Sequence, residues 1–173
     1  MSIFLFYFVS ITFTLAIICY TGYILYLQFM PGAFYYPSTD KEVENIIKLA
    51  KPKKTDILID LGSGDGRVII AAAKMGIRSI GYELDPALVH RSRQKIEKLN
   101  LSALAKIEFK NFWKADFDHT DIVCIYQFPK YINKLEKIFQ KTKHPLTVIT
   151  NRYQFPHQKP TLTNGNLFLY KFP

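Results

Sequence analysis

The stretch ILIDLGSGDGR, residues 57–67, constrains the fold of this chain more than any other part of its sequence. A short apolar run, residues 57–61, is followed by a glycine-rich turn at residues 62–66 and an alanine-rich run at residues 68–75. This pattern predicts a buried strand, a sharp turn and a helix, the first half of a βαβ unit. Glycines in such a turn let a ligand approach the backbone closely, and amides at the start of the helix point at that ligand.

Glu83 adds a second feature of a nucleoside site. It lies 21 residues after Gly62 and directly follows another apolar run, residues 77–82. A carboxylate at the end of the second strand can accept hydrogen bonds from both ribose hydroxyls of an adenosine. A dinucleotide fingerprint, G-x-G-x-x-G, would require glycine at position 67, where this chain has Arg67. The spacing excludes that fingerprint, and the combination of strand, turn, helix and Glu83 argues against a plain turn with a solvated carboxylate.

The pattern D-x-G-x-G-x-G, which begins at Asp60, resembles motif I of the S-adenosylmethionine-dependent, seven-β-strand methyltransferases. The resemblance implies an α/β fold with a Rossmann-like seven-strand sheet and S-adenosylmethionine as the cofactor. This cofactor has no pyrophosphate, so the glycine loop would surround its methionine part. The residues that the resemblance assigns to cofactor binding are Asp60, Gly62, Ser63, Gly64, Gly66, Glu83, Leu84, Asn111 and Phe112.

An uncharged segment precedes this domain. Ile3–Phe29 contains 27 residues, enough for a helix to cross the hydrocarbon of a bilayer. A cleaved signal peptide would need lysine or arginine near the start and small residues at a cleavage site, and the segment has neither. A buried helix of a soluble protein is the other alternative, and the length of the segment argues against it. We predict a transmembrane helix that remains as an anchor.

The charge distribution predicts the orientation of this anchor. No acidic or basic side chain precedes Asp40, so the net charge of +9 belongs to the rest of the chain. Five lysines follow the segment closely, between residues 41 and 54, and place the domain on the cytoplasmic side, at the inner membrane if the cell is bacterial. These lysines either contact anionic lipid headgroups or form an ordinary solvated surface. Two isolated cysteines predict no disulfide framework, and four scattered histidines predict no metal site.

The sequence predicts three parts: a transmembrane anchor over residues 1–30, a junction with a leading helix over residues 31–54, and the methyltransferase domain over residues 55–173. Thr39 and Glu42 form a capping box at the start of the leading helix. Asp85 and Pro86 are typical of the start of a later helix. Near the end of the chain, Asn164-Gly165 between apolar runs predicts the turn of an antiparallel hairpin.

The methyl acceptor is expected at the carboxyl end of the fourth predicted strand, residues 121–126, because ligands bind at this crevice in such sheets. The following turn reads YQFP at residues 126–129. Enzymes of the resembled class that methylate amino groups of nucleic-acid bases carry N-P-P-Y or D-P-P-Y there, so we expect no nucleic-acid partner. Tyr36 and Tyr126 are candidates for lining the acceptor channel, with ordinary core packing as the alternative.

The resemblance narrows to one branch of protein-lysine methyltransferases. The segment YPST at residues 36–39, together with motif I, Glu83 and the segment NFWK at residues 111–114, resembles that branch from about Gly32 to the end. The branch contains mitochondrial enzymes for lysines of the ATP synthase c-subunit and the adenine nucleotide translocase, and small prokaryotic relatives. In this family, the turn after the third strand supplies an acid or amide to the adenine amino group and an apolar side chain to its ring. Asn111 and Phe112 fit, although the family usually carries aspartate at the first position.

We therefore predict a membrane-anchored methyltransferase that acts on lysine side chains of proteins at or near the membrane. Only residues 31–36 separate Met30 from Pro37, and fully extended they reach about 20 Å. A methyltransferase for a lipid, quinone or other small membrane-associated molecule is one alternative. A protein that binds the cofactor and regulates a partner without catalysis is the other.

Overall fold

The computed structural model describes the backbone of residues 3–29 and 36–173, and the side chains of residues 3–23 and 36–173. The chain divides into two units, Met1–Gly32 and Ala33–Pro173. Residues 1, 2 and 30 of the predicted anchor and residues 31–35 of the predicted junction lie outside the described residues.

The first unit contains the helix α1, Ile3–Phe29. Within it, the hydroxyls of Thr12, Thr14 and Thr21 donate hydrogen bonds to carbonyls one turn earlier, at 2.9–3.0 Å. These bonds satisfy the three threonine hydroxyls inside the helix itself. The stretch Ile3–Tyr23 is long and apolar enough to cross a membrane. Length and composition are the only grounds for that statement, and signal sequences meet the same criteria.

The second unit is built on one seven-strand sheet with the order β3-β2-β1-β4-β5-β7-β6. Its strands are β1 (Ile57–Leu61), β2 (Arg78–Glu83), β3 (Ala105–Phe109), β4 (Ile122–Ile125), β5 (Leu146–Asn151), β6 (Leu162–Asn164) and β7 (Leu167–Phe172). The first five strands are parallel, whereas β7 runs antiparallel to β5 and β6. The predicted α/β sheet and its antiparallel C-terminal hairpin are confirmed. Ligand sites in such sheets lie where the order of the strands reverses, here between β1 and β4.

Helices cover both faces of the sheet. They are α2 (Asp40–Ala50), α3 (Arg67–Lys74), α4 (Pro86–Lys98) and α5 (Pro129–Phe139), with a short 3₁₀ helix at Phe112–Lys114. Side chains alternate between the two faces along a strand. Leu58 accordingly packs with α2, α3 and α4, whereas Ile59 and Leu61 pack with α5 on the other face. The central strand β1 is thereby buried on both sides, which fixes the position of the glycine loop that follows it.

Local capping signals in the sequence are confirmed. The hydroxyl of Thr39 accepts a hydrogen bond from the Glu42 amide at 3.2 Å, and the Glu42 carboxylate accepts one from the Thr39 amide at 2.6 Å. Asp85 accepts from the amides of the first turn of α4, and Pro86 occupies the first helical position. Each contact satisfies amides that the helix leaves without an internal partner.

The predicted turn at Asn164-Gly165 is wrong by one residue. Asn164 pairs with Leu167, so the two-residue loop consists of Gly165 and Asn166. Gly165 has a φ of +59° and comes first in the loop, the residue pattern of a type II′ turn. The apolar side chains of β7 are buried and set the register with β5, and this long-range constraint overrides the local preference for Asn-Gly.

Candidate active site

The glycine loop, residues 62–66, crosses from the end of β1 to the start of α3. Gly62, Gly64 and Gly66 have φ values of +84°, +54° and +78°, a region that other residues rarely adopt. The amides of Gly62 and Ser63 both donate to the carbonyl of Tyr82, at 2.9 and 3.0 Å. The loop is therefore held against the end of β2, beside Glu83.

Backbone amides fix the carboxylate of Glu83. Its Oε2 accepts from the Gly64 amide at 2.8 Å, and its Oε1 accepts from the amides of Leu84 and Asp85 at 2.7 and 2.8 Å. The structure thus brings together Glu83, Leu84 and the glycine loop, three features that the sequence assigned to one cofactor site. A carboxylate has about four acceptor positions, so three amides leave little free capacity. Two ribose hydroxyls would therefore need to take the place of at least one of these amides.

Two aspartates, one in β1 just before this loop and one within the loop, lie in different environments. Asp60 is buried within β1, and burial, together with the charges of Glu83 and Asp65, raises its pKa to about 7. Burial also acts to raise the pKa of Asp65, but hydrogen bonds and charges from Arg67 and Lys95 outweigh it and lower that pKa to about 2. Near neutral pH, Asp65 is ionised while Asp60 is close to its titration midpoint.

Arg67 joins the glycine loop to the segment before α2. Its guanidinium contacts both oxygens of Asp65, at 2.9 and 3.0 Å, and its Nη1 donates to the carbonyl of Ser38. The ammonium group of Lys95 on α4 contacts Asp65 at 2.7 Å. Arg67, whose presence excludes a dinucleotide fingerprint, thus connects the glycine loop with the segment that contains Tyr36.

Gln127 lies against the start of the glycine loop, next to Leu61 and Gly62. Its Nε2 donates to the carbonyl of Leu61 at 2.8 Å, and a Cβ added to Gly62 would overlap this nitrogen. Its Oε1 is buried and has no hydrogen-bond partner among the described residues, and the same holds for the Ser63 hydroxyl. Buried polar atoms without partners are uncommon and point to a bound group.

Asn111 and Phe112 follow β3, whose end lies beside Glu83 through a bond from the Lys110 amide to the Glu83 carbonyl at 3.2 Å. Asn111 accepts from the Trp113 amide at 3.1 Å and caps the 3₁₀ helix. Phe112 is buried against the ring of Trp113, with centroids 4.8 Å apart. The structure places both residues near the predicted adenine end, with Phe112 facing the core.

The two candidate acceptor residues lie in contact. The rings of Tyr36 and Tyr126 meet edge to face with centroids 5.9 Å apart. The guanidinium of Arg152 lies over both rings, at 5.3 Å from Tyr36 and 5.9 Å from Tyr126. Sequence reasoning missed Arg152 and Gln127. Arg152 directly follows β5 and Gln127 is the second residue after β4, and these positions at the ligand-binding edge of the sheet are the signal that could have identified them.

Within the part of the chain that the structure describes, no group of three or more histidine, cysteine, aspartate or glutamate residues could hold a metal ion.

The sheet order, the glycine loop after β1 and the carboxylate at the end of β2 define the fold of an S-adenosylmethionine-dependent methyltransferase. Residues 60–162 match the family described as the ANTKMT methyltransferase domain, and the chain belongs to that family.

Relatives and a solved structure agree with this assignment. The chain is 36% identical over 132 residues to the ATP synthase c-subunit lysine N-methyltransferase of Homo sapiens, covering 76% of this chain and 56% of that protein. It is 27% identical over 148 residues to a protein-lysine N-methyltransferase of Saccharolobus islandicus, covering 82% and 92%. An RNA methyltransferase from Salinibacter ruber, crystallised with S-adenosyl-L-homocysteine, superposes with a TM-score of 0.71 at 28% identity, covering 79% and 92%. The chain thus spans little more than half of the human relative.

The residues present fit S-adenosylmethionine. The loop glycines leave the backbone open to a ligand, and the Ser63 hydroxyl and Gln127 carbonyl oxygen offer buried polar atoms without partners among the described residues. Glu83 supplies a carboxylate that is able to accept from hydroxyl groups. The assignment of the individual cofactor contacts stays a prediction.

Proposed function

We propose that this chain is an S-adenosylmethionine-dependent protein-lysine methyltransferase that α1 holds at a membrane. The match to the Saccharolobus islandicus protein-lysine N-methyltransferase carries the proposal, because the aligned region covers 92% of that protein and so nearly all of a lysine methyltransferase. The human relative also supports the proposal. Its sequence identity to this chain is higher, and the aligned region covers a smaller part of that protein.

The chain would act mainly by holding two reactants in line. When bound, S-adenosylmethionine supplies a methyl group on a positively charged sulfur. Glu83 would orient the ribose, and the glycine loop would hold the methionine part. Pre-alignment of this kind accounts for a large part of the rate of a displacement reaction. Tyr36 and Tyr126, at the edge where β4 ends, would line the path of the acceptor.

The acceptor amine has to be neutral before it attacks. At pH 7, deprotonation of a lysine with a pKa of about 10.4 costs roughly 4–5 kcal/mol. Burial of the lysine beside a positive charge lowers its pKa, since desolvation and like charge both disfavour the ammonium form. A dedicated base is therefore unnecessary, and we assign none.

The membrane part of the proposal rests on α1 and on the charge pattern. Residues 1–30 would form the anchor, residues 31–54 the junction and leading helix, and residues 55–173 the catalytic domain. The lysines that follow the anchor favour a cytoplasmic domain. Acceptor lysines on membrane proteins, or on proteins docked at the membrane, would then be methylated at a high effective concentration.

One observation favours a second function, methylation of RNA. The Salinibacter ruber structure carries that description and covers most of both chains, and the net charge of +9 suits a polyanion. Against it, the turn after β4 reads YQFP and lacks the N-P-P-Y pattern of enzymes that methylate base amino groups.

A labelling experiment separates these functions. The full-length protein in detergent is incubated with cofactor that carries a labelled methyl group, and with membrane proteins, total RNA or extracted lipid in parallel. We expect label on lysine, located by mass spectrometry as methyl increments, and strongly reduced label with Glu83→Ala at a cofactor concentration near the wild-type Kd. Label in RNA or lipid would replace the proposal by that alternative. Cofactor binding without any transfer would indicate a regulator.

A further inference from the structure

The Tyr36–Tyr126 ring pair holds a cation that the established family assignment does not explain. The Arg152 guanidinium lies within 6 Å of both ring centroids, at 5.3 and 5.9 Å. The faces of aromatic rings attract cations through their quadrupole, and they bind methylated ammonium groups in the same way. The two rings therefore form a small site for a cation, and one side chain of the protein already occupies it.

The backbone brings Arg152 into this position at a conformational cost. Arg152 has a φ of +74°, in the left-handed region that disfavours residues with a Cβ. Its amide donates to the Asn166 carbonyl at 2.7 Å, and Asn151 before it is buried as the last residue of β5. Strain of this kind persists where the surrounding structure enforces it, and it accumulates at functional sites.

Both segments that carry the rings are tied to the glycine loop. Ser38, two residues after Tyr36, accepts from Arg67 at the end of that loop. Gln127, directly after Tyr126, donates to the carbonyl of Leu61 at its start. The ring pair therefore borders the place where the cofactor is expected, and Tyr36 remains 65% exposed to solvent.

An acidic side chain, Glu42, lies near the cation site. The Glu42 carboxylate accepts from Asn151 at 3.4 Å, beside Arg152. Burial raises the pKa of Glu42, but hydrogen bonds from Thr39 and Asn151 and the charge of Arg152 lower it overall, so this side chain is ionised at neutral pH. The guanidinium thus lies over two rings, with a carboxylate on the neighbouring segment whose charge attracts it.

We propose that the Tyr36–Tyr126 ring pair is the docking site for the cationic side chain of the acceptor, and that Arg152 is an internal competitor that leaves the rings when the acceptor arrives. This inference rests on the proposed lysine methylation. The rings bind the ammonium form, so they serve the arrival of lysine and the departure of the methylated, still cationic product. Proton loss and methyl transfer take place beyond them, beside the cofactor.

Competition makes a quantitative prediction. If a side chain of the protein fills a site for most of the time, the apparent affinity for an added cation equals the intrinsic affinity multiplied by the fraction of time that the site is empty. Arg152→Gln removes the charge, so the rings should bind an added cation roughly three- to tenfold more tightly. Arg152→Lys keeps a charge at the same place and should bind the cation as weakly as the wild type.

The test uses choline and its neutral analogue 3,3-dimethyl-1-butanol, which differ essentially in charge, with the full-length protein in detergent. Equilibrium dialysis should show tighter choline binding to Arg152→Gln, loss of this gain in Arg152→Gln/Tyr36→Leu, and no binding of the alcohol. Lys134→Gln is the matched control, because it also removes one positive charge from an aromatic ring. The Lys134 ammonium lies over a single ring, that of Trp113, at 4.2 Å from its centroid. This variant should leave choline binding unchanged.

A kinetic measurement then connects the rings with the acceptor. With a lysine-containing protein acceptor, Arg152→Gln should lower KM severalfold while the Kd of S-adenosylmethionine stays constant. Equal choline binding by wild type and Arg152→Gln, or equal binding of choline and the alcohol, would overturn the competition. Tighter choline binding with an unchanged KM would overturn the docking role. If the protein methylates no lysine, the proposed function fails, and the choline comparison alone still decides whether Arg152 competes for the rings.

Discussion

Asp60 in β1 and Asp65 in the glycine loop, five residues apart, have pKa values of about 7 and about 2. The difference follows from their neighbours. Asp60 is buried beside two other carboxylates, whereas Arg67 and Lys95 contact Asp65 directly. The same residue type therefore has opposite effects on the pH dependence of stability.

Asp60→Asn should stabilise the protein at alkaline pH. The pKa of Asp60 is raised in the folded state, so its contribution is fully favourable below about pH 4 and is lost as pH rises to about 7. Three pKa units correspond to about 4 kcal/mol as an upper limit. Urea unfolding should show the variant more stable than the wild type at pH 8 and nearly equal to it at pH 3.5. A gap that does not change with pH would contradict this account.

Asp65→Asn should have the opposite sign. The lowered pKa of Asp65 contributes stability that is present above about pH 4 and is lost as pH falls through about 2. We expect the variant to lose about 1–2 kcal/mol at pH 7, since solvent screens the partly exposed Arg67 and Lys95. The loss should shrink in urea titrations toward pH 2 and in high salt. An equal loss at all pH values would mean that packing, and not charge, is responsible.

Gly62→Ala should lower the free energy of unfolding, measured in urea, more than Gly76→Ala does. The two glycines nevertheless have nearly the same φ, +84° and +82°. A Cβ at Gly76 meets nothing within 4 Å, so this variant measures the cost of the backbone conformation alone, about 1–2 kcal/mol. A Cβ at Gly62 also overlaps the Gln127 amide. The double variant Gly62→Ala/Gln127→Ala should recover the additional loss when compared with Gln127→Ala in a double-mutant cycle. If the losses of stability in Gly62→Ala and Gln127→Ala simply added up in the double variant, Gln127 would not be the cause of the additional loss.

Glu83→Ala should weaken the binding of S-adenosylmethionine by about 1.5–3 kcal/mol, the range for hydrogen bonds to a charged group. This corresponds to roughly a tenfold to hundredfold rise in Kd by calorimetry. Glu97→Ala, at an exposed position of α4, is the control and should bind as the wild type does. Melting curves of both variants show whether the hydrogen bonds from three amides to Glu83 are also needed for folding. Unchanged affinity in Glu83→Ala would remove the basis for the assigned cofactor site.

Removal of residues 1–30 should release a soluble domain that still binds S-adenosylmethionine. The full-length protein should stay in the membrane pellet in high salt and in carbonate, because an apolar helix in the bilayer does not depend on charge. Immunoblots of pellet and supernatant measure this directly. Extraction of the full-length protein by salt alone would show that Ile3–Phe29 does not span the membrane.

Features with a local cause could be predicted from the sequence. The capping box of Thr39 and Glu42 and the start of α4 at Pro86 depend on contacts within four residues, and the structure has both. The order of apolar runs around the glycine loop likewise determines the strand–turn–helix unit. These features need no information about distant parts of the chain.

Contacts between distant segments could not be predicted in this way. Gln127 reaches Leu61 across 66 residues, and Arg152 reaches Tyr36 only after the sheet has formed. The hairpin turn differs from the prediction for the same reason, because pairing of β7 with β5 sets its register. The strand–turn–helix unit and Glu83, on which the predicted cofactor contacts depend, could therefore be found from motifs, whereas the contacts around Tyr36 and Tyr126 depend on tertiary packing.

The position of β1 in the sheet also has a consequence for the order of folding. Its partner β2 follows closely in the chain, but its other partner, β4, begins at Ile122, and Leu58 pairs with that residue. Closing so long a segment of chain costs entropy before any contact repays it, and such distant pairings slow folding. The loop that carries Gly62 has its full support only after this closure, because Gln127 follows β4. Before this closure the loop can make only its contacts with Tyr82 and Glu83, so it reaches its complete set of contacts in the step that closes the centre of the sheet.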